Sequence, residues 1–412
     1  MKLRLLLWAM FVLLAGLITL VPAAAQDDFI FGLILVGPQN DGGWSQAHYE
    51  GGKYVEANVP GSKMLVFEKL NVVDSPEATL ESVTQDMVDQ GAKLIFTTSD
   101  DFEEDTTAIA KKPKFADVTF INVSGDDVYT GEAPANLGNL MGTMEWGKII
   151  AGCAAALNTQ TGSIGYLGPL INFETRRLAS SAYLGARYCY EKYVGGNPDN
   201  LKFNVTWIGF WFNIPGVTLD PSEETNAFFD GGSDVVISGI DTTEAIVVAG
   251  QRAKEGQVVW AIPYDSETAC TIAPDVCLGS PYYHWGPSYA KIVSAVKDGT
   301  YKQSWDLANP DWKDLNNPDT TGIGFKNGTA LTEKAATSLA SFIDEAAAFA
   351  TNPANKDSIF LWQGPMSYQD GTPIVVDDGA SLPYIAKLGV SPSIWYLDQL
   401  LGGMTGASVT KQ

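Results

Sequence analysis

The sequence has little histidine, little cysteine and little positive charge. Its 412 residues include two histidines and four cysteines, so the usual ligands of a zinc site are almost missing. It carries 48 Asp and Glu against 26 Lys and Arg, a formal net charge of -22, with no run rich in Lys and Arg. Because phosphate binding requires a positive surface, we expect no nucleic-acid partner. We also expect no metal site and no cofactor.

The length and composition indicate a globular protein with room for two domains. The chain is 45% hydrophobic and 18% charged, which excludes a disordered or collagen-like protein. At this length each of two domains can bury a core of its own.

Residues 1–25 have the features of a secretory signal. Lys2 and Arg4 precede an apolar run over 5–21, and small residues at 23–25 offer a cleavage site. An uncleaved anchor helix is the alternative, because the run approaches the minimum length that spans a bilayer. No second run of that length follows, so we expect an exported, soluble mature chain.

Export would permit disulfide bonds between the four cysteines. Cys270 and Cys277 are close enough in sequence to close a short loop, and Cys153 is a candidate partner of Cys189. Spacing alone leaves the connectivity open.

Short apolar runs alternate with helical patterns along the chain. The apolar runs predict strands at 29–37, 93–99, 118–123, 163–167, 203–210, 234–239 and 257–262. Helical periodicity predicts helices at 45–59, 77–90, 147–157, 176–193, 243–255 and 331–349. This alternation is typical of βαβ units, so we predict an α/β fold with two parallel sheets and a crossover near 144–152. Residues 299–328 are expected to form an irregular connection.

Aromatic and acidic residues follow most of the predicted strands. Ligands of open parallel sheets bind beyond the carboxyl ends of the strands, which predicts a binding site lined by Trp44, Phe102, Phe173, Trp211, Tyr264, Asp41, Asp100 and Asp265. Rings and carboxylates together suit a flat molecule that donates hydrogen bonds. Each residue also has a structural interpretation: the aromatics as packing residues and Asp41 as a helix N-cap.

Catalytic patterns are weak in this sequence. Gly-x-Ser-x-Gly is absent, and no cysteine has an evident activating partner. We therefore expect no catalytic residues. A secreted nucleoside or glycoside hydrolase that uses Asp41 or Asp265 with Asp100 is the alternative from the enzyme class. A sugar-binding protein or a sensory receptor with the same cleft also stays open.

Two motifs resemble those of the basic membrane protein family, the purine-nucleoside-receptor-like solute-binding proteins of ABC importers. They are the stretch NDGGWSQAHYEG at 40–51 and the stretch YHWGPSY at 283–289, and the similarity extends from Phe29 to about Met404. The resemblance implies a periplasmic-binding-protein type I fold, in which two α/β lobes joined by three crossovers close over a ligand. It implies an N-terminal lobe of 26–145 plus about 266–300, a C-terminal lobe of 146–265 plus about 301–400, and a tail at 401–412.

The resemblance also implies roles for individual residues. Asn40 or Asp41 would supply polar contacts, Trp44 would stack on the base, and Trp211 or Phe210 would stack on its other face. Asp265 matches the acid that holds ribose hydroxyls. Nucleoside receptors place a lysine where this chain has residues 283–285, so that contact with the ribose is lost, and a free nucleobase or another flat heterocycle becomes a candidate ligand.

The expected ligand-binding set combines both lines of reasoning: Asn40, Asp41, Trp44, Ser99, Asp100, Phe102, Phe173, Trp211, Asp241, Asp265 and Trp285. The expected partners are a purine-like small molecule and an ABC permease in the membrane, and we expect a monomer. Many relatives carry a lipid on a cysteine directly after the signal. The first cysteine here is Cys153, so we expect no such anchor and a periplasmic or extracellular protein.

Overall fold

The computed structural model describes residues 28–385 and 392–409. The secretory signal expected at residues 1–25 lies outside the described residues. Among the helices within those two ranges, none is both long enough and apolar enough to cross a membrane.

The first third of the chain alternates strands with helices. The strands are β1 (Phe29–Leu35), β2 (Ser62–Phe67), β3 (Leu94–Thr98), β4 (Thr119–Asn122) and β5 (Leu137–Gly142). The helices are α1 (Trp44–Asn58), α2 (Leu80–Asp89), α3 (Glu103–Ala110) and α4 (Asp127–Thr130). Every residue of β3 and β5 is buried, as expected of strands that are covered on both faces.

The middle of the chain repeats the pattern. It contains α5 (Glu145–Asn158), β6 (Ser163–Gly168), α6 (Phe173–Cys189), β7 (Lys202–Trp207), α7 (Pro221–Asp230), β8 (Val235–Ser238), α8 (Glu244–Lys254) and β9 (Trp260–Ile262). The remainder contains β10 (Gly279–Tyr283), α9 (Gly286–Lys297), β11 (Trp305–Ala308), β12 (Ile323–Asn327), α10 (Glu333–Ala350), β13 (Met366–Ser367), β14 (Pro373–Val375) and β15 (Met404–Thr405).

These strands build two parallel sheets, one for each lobe. The first lobe has six strands in the order β11-β5-β4-β3-β1-β2, and the second has five in the order β15-β7-β6-β8-β9. All neighbours within both sheets are parallel. The predicted α/β fold of two parallel-sheet lobes is confirmed.

The chain passes between the lobes after β5, after β9 and after β11. The antiparallel pair β10 and β12 lies on two of these paths. Near it, Asp265 adopts φ 69° and forms an isolated bridge to Tyr282. The left-handed backbone at Asp265 allows the chain to turn sharply as it leaves the second sheet.

Residues 301–308 correct one part of the expected lobe boundaries. We assigned residues from about 301 onward to the C-terminal lobe, but Trp305–Ala308 forms β11, which pairs with β5 at the edge of the first sheet. The same segment also corrects the expectation of an irregular connection at 299–328, because β11 and β12 both lie within it. Both strands are short and partly exposed, so their apolar pattern is weak. The expected tail at 401–412 is corrected as well, because Met404–Thr405 forms β15 at the edge of the second sheet. The other boundaries stay a prediction.

Both candidate disulfide bonds are present. Cys153 on α5 is bonded to Cys189 at the end of α6, and Cys270 is bonded to Cys277. The first bond joins two buried helices of the second lobe, so it stabilises the packing from which that lobe is built.

Candidate functional site

A narrow cavity of about 20 Å³ lies between the two lobes. The loops that follow β1, β3, β4, β6, β7, β8 and β9 reach it, so it occupies the position where open parallel sheets bind ligands. It is lined by Trp44, Ser99, Asp100, Ser124, Tyr166, Glu174, Thr175, Leu178, Trp211, Gly239, Asp241 and Tyr264. This volume holds about one water molecule, so a larger ligand requires the cleft to widen.

The lobes touch each other around this cavity. The backbone N–H of Trp44 lies 3.4 Å from the carbonyl oxygen of Asp241. The Asn172 amide donates to Asp100 across 3.2 Å, and the Ser124 hydroxyl donates to Glu174 across 3.1 Å. Each contact joins a residue of the first lobe to one of the second, so the structure is a closed form.

Trp44 is fixed in the first lobe. Its indole Nε1–H donates to the carbonyl oxygen of Thr98 across 2.8 Å. Three aromatic rings pack on its edge or face, those of His48, Tyr283 and Trp285, with centroids 4.5, 5.2 and 5.7 Å away. A ring held in this way loses little conformational entropy when a ligand stacks on it.

Asp41 shapes the turn that presents Trp44. Its carboxylate accepts hydrogen bonds from the backbone N–H groups of Gly43, Ser45 and Gln46 at 2.8, 2.9 and 3.0 Å. These amides belong to the turn and the first turn of α1, where N–H groups have no partner within the helix. Asp41 therefore orders the start of α1, in agreement with its structural interpretation.

The start of α6 supplies the acidic side of the cavity. Asn172 caps this helix: its side chain accepts from the Thr175 backbone N–H, and the Thr175 hydroxyl accepts from the Asn172 backbone N–H. This capping box fixes the first turn, on which Glu174 and Thr175 face the cavity.

A buried Lys–Asp pair lies behind the cavity wall. The Lys148 amine donates to the Ser238 carbonyl oxygen across 2.7 Å and lies 3.2 Å from the ring centroid of Tyr264. Asp265 is fully buried, and neither of its carboxylate oxygens has a hydrogen-bond partner among the described residues. Burial lowers the pKa of Lys148 to about 7, while the nearby Asp265 acts in the opposite direction.

Burial makes the cleft carboxyls hold their protons. It raises the pKa of Glu174 to about 7, although the charge of Arg177 lowers it. It raises the pKa of Asp41 to about 6 against the effect of three backbone hydrogen bonds. Burial and the nearby Asp265 raise the pKa of Asp241 well above its usual range. Burial does the same for Asp265, although Lys148 lowers the pKa of that carboxyl. These carboxyls accept hydrogen bonds from a ligand when ionised and donate one when protonated.

Five of the eleven expected ligand-binding residues line the cavity: Trp44, Ser99, Asp100, Trp211 and Asp241. They come from both lobes, so the structure brings the two predicted halves of the site together. Tyr264, which the pattern of aromatic residues also indicated, lines the cavity as well.

The other six lie elsewhere. Asn40 is exposed, and Asp41 orders α1. Phe102 borders a neighbouring pocket, and Phe173, 43% exposed, lies in the space beside the cavity. Asp265 and Trp285 are fully buried and do not line the cavity. The Trp285 ring stacks on the rings of Tyr283 and His48 and makes an edge contact with Trp44. Trp285 is therefore a packing residue.

The sequence-based set missed six lining residues: Ser124, Tyr166, Glu174, Thr175, Leu178 and Gly239. Ser124 and Glu174 follow predicted strands and Gly239 is the last residue of one, so the rule that selected Asp100 and Asp241 could have found them. Tyr166 lies inside β6, where only the tertiary structure shows which way a side chain points.

Metal binding finds no support in the described part of the chain. Within residues 28–385 and 392–409, no group of three or more His, Cys, Asp or Glu side chains is arranged to hold a metal ion.

The chain is similar to known solute-binding proteins. It is 31% identical over 283 residues to a purine-binding protein of Brucella abortus (strain 2308), an alignment that covers 68% of this chain and 72% of that one. It is 26% identical over 269 residues to a protein of Haloferax volcanii that is named as an ABC transporter glucose-binding protein. That alignment covers 65% of this chain and 61% of the relative. An ABC transporter solute-binding protein of Conexibacter woesei DSM 14684 shares the fold, with TM-score 0.56, 18% identity and coverage of 78% and 96%.

Residues 30–335 match the family described as PnrA-like ABC transporter substrate-binding proteins, Bmp. The match includes all the residues that line the cavity and the strands of both sheets except β15 and the first residue of β1. It confirms the resemblance that residues 40–51 and 283–289 indicated. The chain therefore belongs to the PnrA-like family of ABC transporter substrate-binding proteins.

Proposed function

We propose that this protein binds a purine base or nucleoside in the cavity between its lobes and delivers it to an ABC permease. The observation that carries the proposal is that Trp44 of the first lobe and Trp211 of the second line one closed cavity. Aromatic rings from both walls can enclose a flat heterocycle, and stacking of a base on a protein ring contributes about 1–3 kcal/mol.

The carboxyls supply the polar side of recognition. Asp100, Glu174 and Asp241 line the same cavity and accept hydrogen bonds when ionised. Purines carry ring N–H groups, and many carry an amino group, which are donors of the matching kind. Burial raises the pKa of all three carboxyls, because closure removes the water that solvates their ionised form. A hydrogen-bond donor of the ligand would take the place of that water.

The relative from Brucella abortus supports the purine class, because its name assigns it that ligand. The other relative is named for glucose, and aromatic rings with carboxylates also suit a sugar. A hexose is therefore the second candidate.

Calorimetry with the full-length protein separates these candidates. The probes are adenine, guanine, hypoxanthine, their nucleosides and D-glucose. We expect at least one purine to bind and glucose to release no heat. Binding of glucose without any purine would make the purine assignment wrong.

The same samples test the enzyme alternative. After incubation, chromatography should return each nucleoside intact, because a receptor releases its ligand unchanged. Free base and ribose in the mixture would support the hydrolase instead.

The proposal includes hinge closure and a partner. The three chain crossings between the sheets allow the lobes to move as bodies, and a ligand that touches both lobes favours the closed population. We propose a monomer outside the cytoplasm that offers this closed form to the permease.

A further inference from the structure

The last part of the described chain is anchored to the second lobe. We call residues 392–409 the C-terminal segment. Arg176 on α6 donates to the carbonyl oxygens of Leu397 and Ser408 at 2.6 and 3.0 Å. Within the same segment β15 pairs with β7, so the segment is an edge of the second sheet.

Trp395 in this segment packs between the two lobes. On one side the guanidinium of Arg177, on α6 of the second lobe, lies 4.0 Å from the Trp395 ring centroid. On the other side the ring of Trp305, on β11 of the first lobe, lies edge-on with centroids 5.0 Å apart. Trp395 is only 5% exposed, so it is buried by both lobes together.

Both aromatic residues of the segment bind one carboxylate of the first lobe. The Trp395 indole N–H and the Tyr396 hydroxyl donate to the same oxygen of Asp126, at 3.0 and 2.6 Å. Asp126 lies between β4 and α4, in the first lobe. The ring of Tyr396 meanwhile packs on Phe173 of the second lobe.

These contacts border the ligand cavity. A space of about 430 Å³ is lined by Asp126, Trp395 and Tyr396 together with Asp100, Ser124 and Glu174, and the last three also line the cavity. The segment thus closes one side of the cleft. The part of the chain that matches the family ends at residue 335, so the segment lies outside it.

We propose that Trp395 and Tyr396 form a latch that engages Asp126 when the lobes close, holds the ligand-free protein in the closed form and slows release of a bound solute. The proposal rests on the proposed function only for the effect on release. A segment fixed to one lobe can hydrogen-bond to the other only while the lobes are together. Hydrogen bonds to a charged acceptor are stronger than neutral ones, so losing them favours opening.

The test compares three variants by small-angle X-ray scattering without ligand. Tyr396→Phe removes one hydroxyl of the latch, and Asp126→Ala removes the shared acceptor. Tyr193→Phe is the matched control, because the Tyr193 hydroxyl donates to Glu345 at 2.8 Å in a contact that does not involve the first lobe. We expect a larger radius of gyration for both latch variants and no change for the control.

Stopped-flow release of hypoxanthine gives the second readout. We expect release to be about tenfold faster in Asp126→Ala, with the association rate unchanged. A tenfold change in the release rate corresponds to about 1.4 kcal/mol. The latch proposal is wrong if both latch variants have the wild-type radius of gyration. It is also wrong if hypoxanthine leaves both variants at the wild-type rate. If no purine binds any variant, the proposed function fails while scattering still decides the latch.

Discussion

The backbone of Gly43 lies directly against the carbonyl oxygen of Asp241, so that a Cβ atom at Gly43 would be 1.8 Å from that oxygen. Gly43 belongs to the first lobe and Asp241 to the second. Every atom that such a Cβ would approach most closely belongs to Asp241. The absence of a side chain at this glycine therefore allows the lobes to close.

Gly43→Ala should block closure without unfolding either lobe. The added methyl group clashes only across the cleft, so the open form accommodates it and the closed form does not. We expect purine affinity to fall more than tenfold, and scattering should show an open protein even with ligand. Gly231→Ala is the control, since that glycine lies at the end of α7 with its nearest neighbours in the same helix. Wild-type affinity in Gly43→Ala would show that the lobes bind ligand without closing.

Trp211→Ala should weaken purine binding at least tenfold and leave the fold intact. Trp211 lies in a loop after β7 and lines the cavity, so its removal costs a stacking face worth about 1–3 kcal/mol. Calorimetry measures the affinity, and circular dichroism checks the fold. Trp312→Ala is a matched control, because Trp312 packs on Trp146 away from the cavity. Equal affinities in the two variants would contradict stacking at Trp211.

Asp265→Asn should leave purine affinity unchanged and should not lower the free energy of unfolding, because Asp265 is fully buried and does not line the cavity. Asn tolerates the left-handed backbone at this position, and it replaces a buried carboxyl whose oxygens have no hydrogen-bond partner among the described residues. Calorimetry and urea unfolding give the two quantities.

Asp234→Asn provides the contrast for Asp265→Asn. Asp234 accepts hydrogen bonds from the Thr159 hydroxyl and from the backbone N–H groups of Gln160 and Thr161. We therefore expect Asp234→Asn to lower the free energy of unfolding and to leave the affinity unchanged. Weaker purine binding by Asp265→Asn would instead support the contact with the ligand that the family resemblance implies for Asp265.

Acid should favour the closed form of the ligand-free protein. In the closed form, burial raises the pKa of Glu174 to about 7 and that of Asp41 to about 6. Between about pH 4.5 and pH 7 the closed form therefore binds more protons than an open form with ordinary carboxyl pKa values. Its relative stability is greatest at the acid end of this window and falls as the pH rises.

The radius of gyration measured without ligand at pH 5 and pH 7.5 tests this sign. We expect the smaller value at pH 5 and a weaker dependence in Glu174→Gln. Burial also lowers the pKa of Lys148 to about 7. This shift acts only above the window, where a rise in pH favours the closed form. A larger radius at pH 5 would contradict the assignment of these protons to the closed form.

Local sequence patterns predicted most of the first two thirds of the fold. The run at 93–99 became β3 and the periodicity at 243–255 became α8, with ends within two residues. Such patterns work because one strand or helix buries its own apolar face. The strands β2, β5 and β10 to β15 were missed, because their residues are mixed in polarity or the strands are very short.

The site followed a similar division. Asp100 and Trp211 could be predicted because each follows a strand, and loops of parallel strands meet at one edge. Trp285 belongs to an equally distinctive motif, yet it packs behind Trp44, and its neighbours come from α1 and β10. Aromatic side chains pack in a core as well as they stack on ligands, so residue type alone does not separate the two.

The amino-acid sequence by itself determined the alternation of strands and helices, the two parallel sheets and the family, because apolar periodicity and short motifs are local properties of the chain. The tertiary structure alone decided that β11 joins the first sheet, that Gly43 meets Asp241, and that Trp395 and Tyr396 reach Asp126. These contacts join segments up to hundreds of residues apart, and they depend on how the two lobes are oriented when they close.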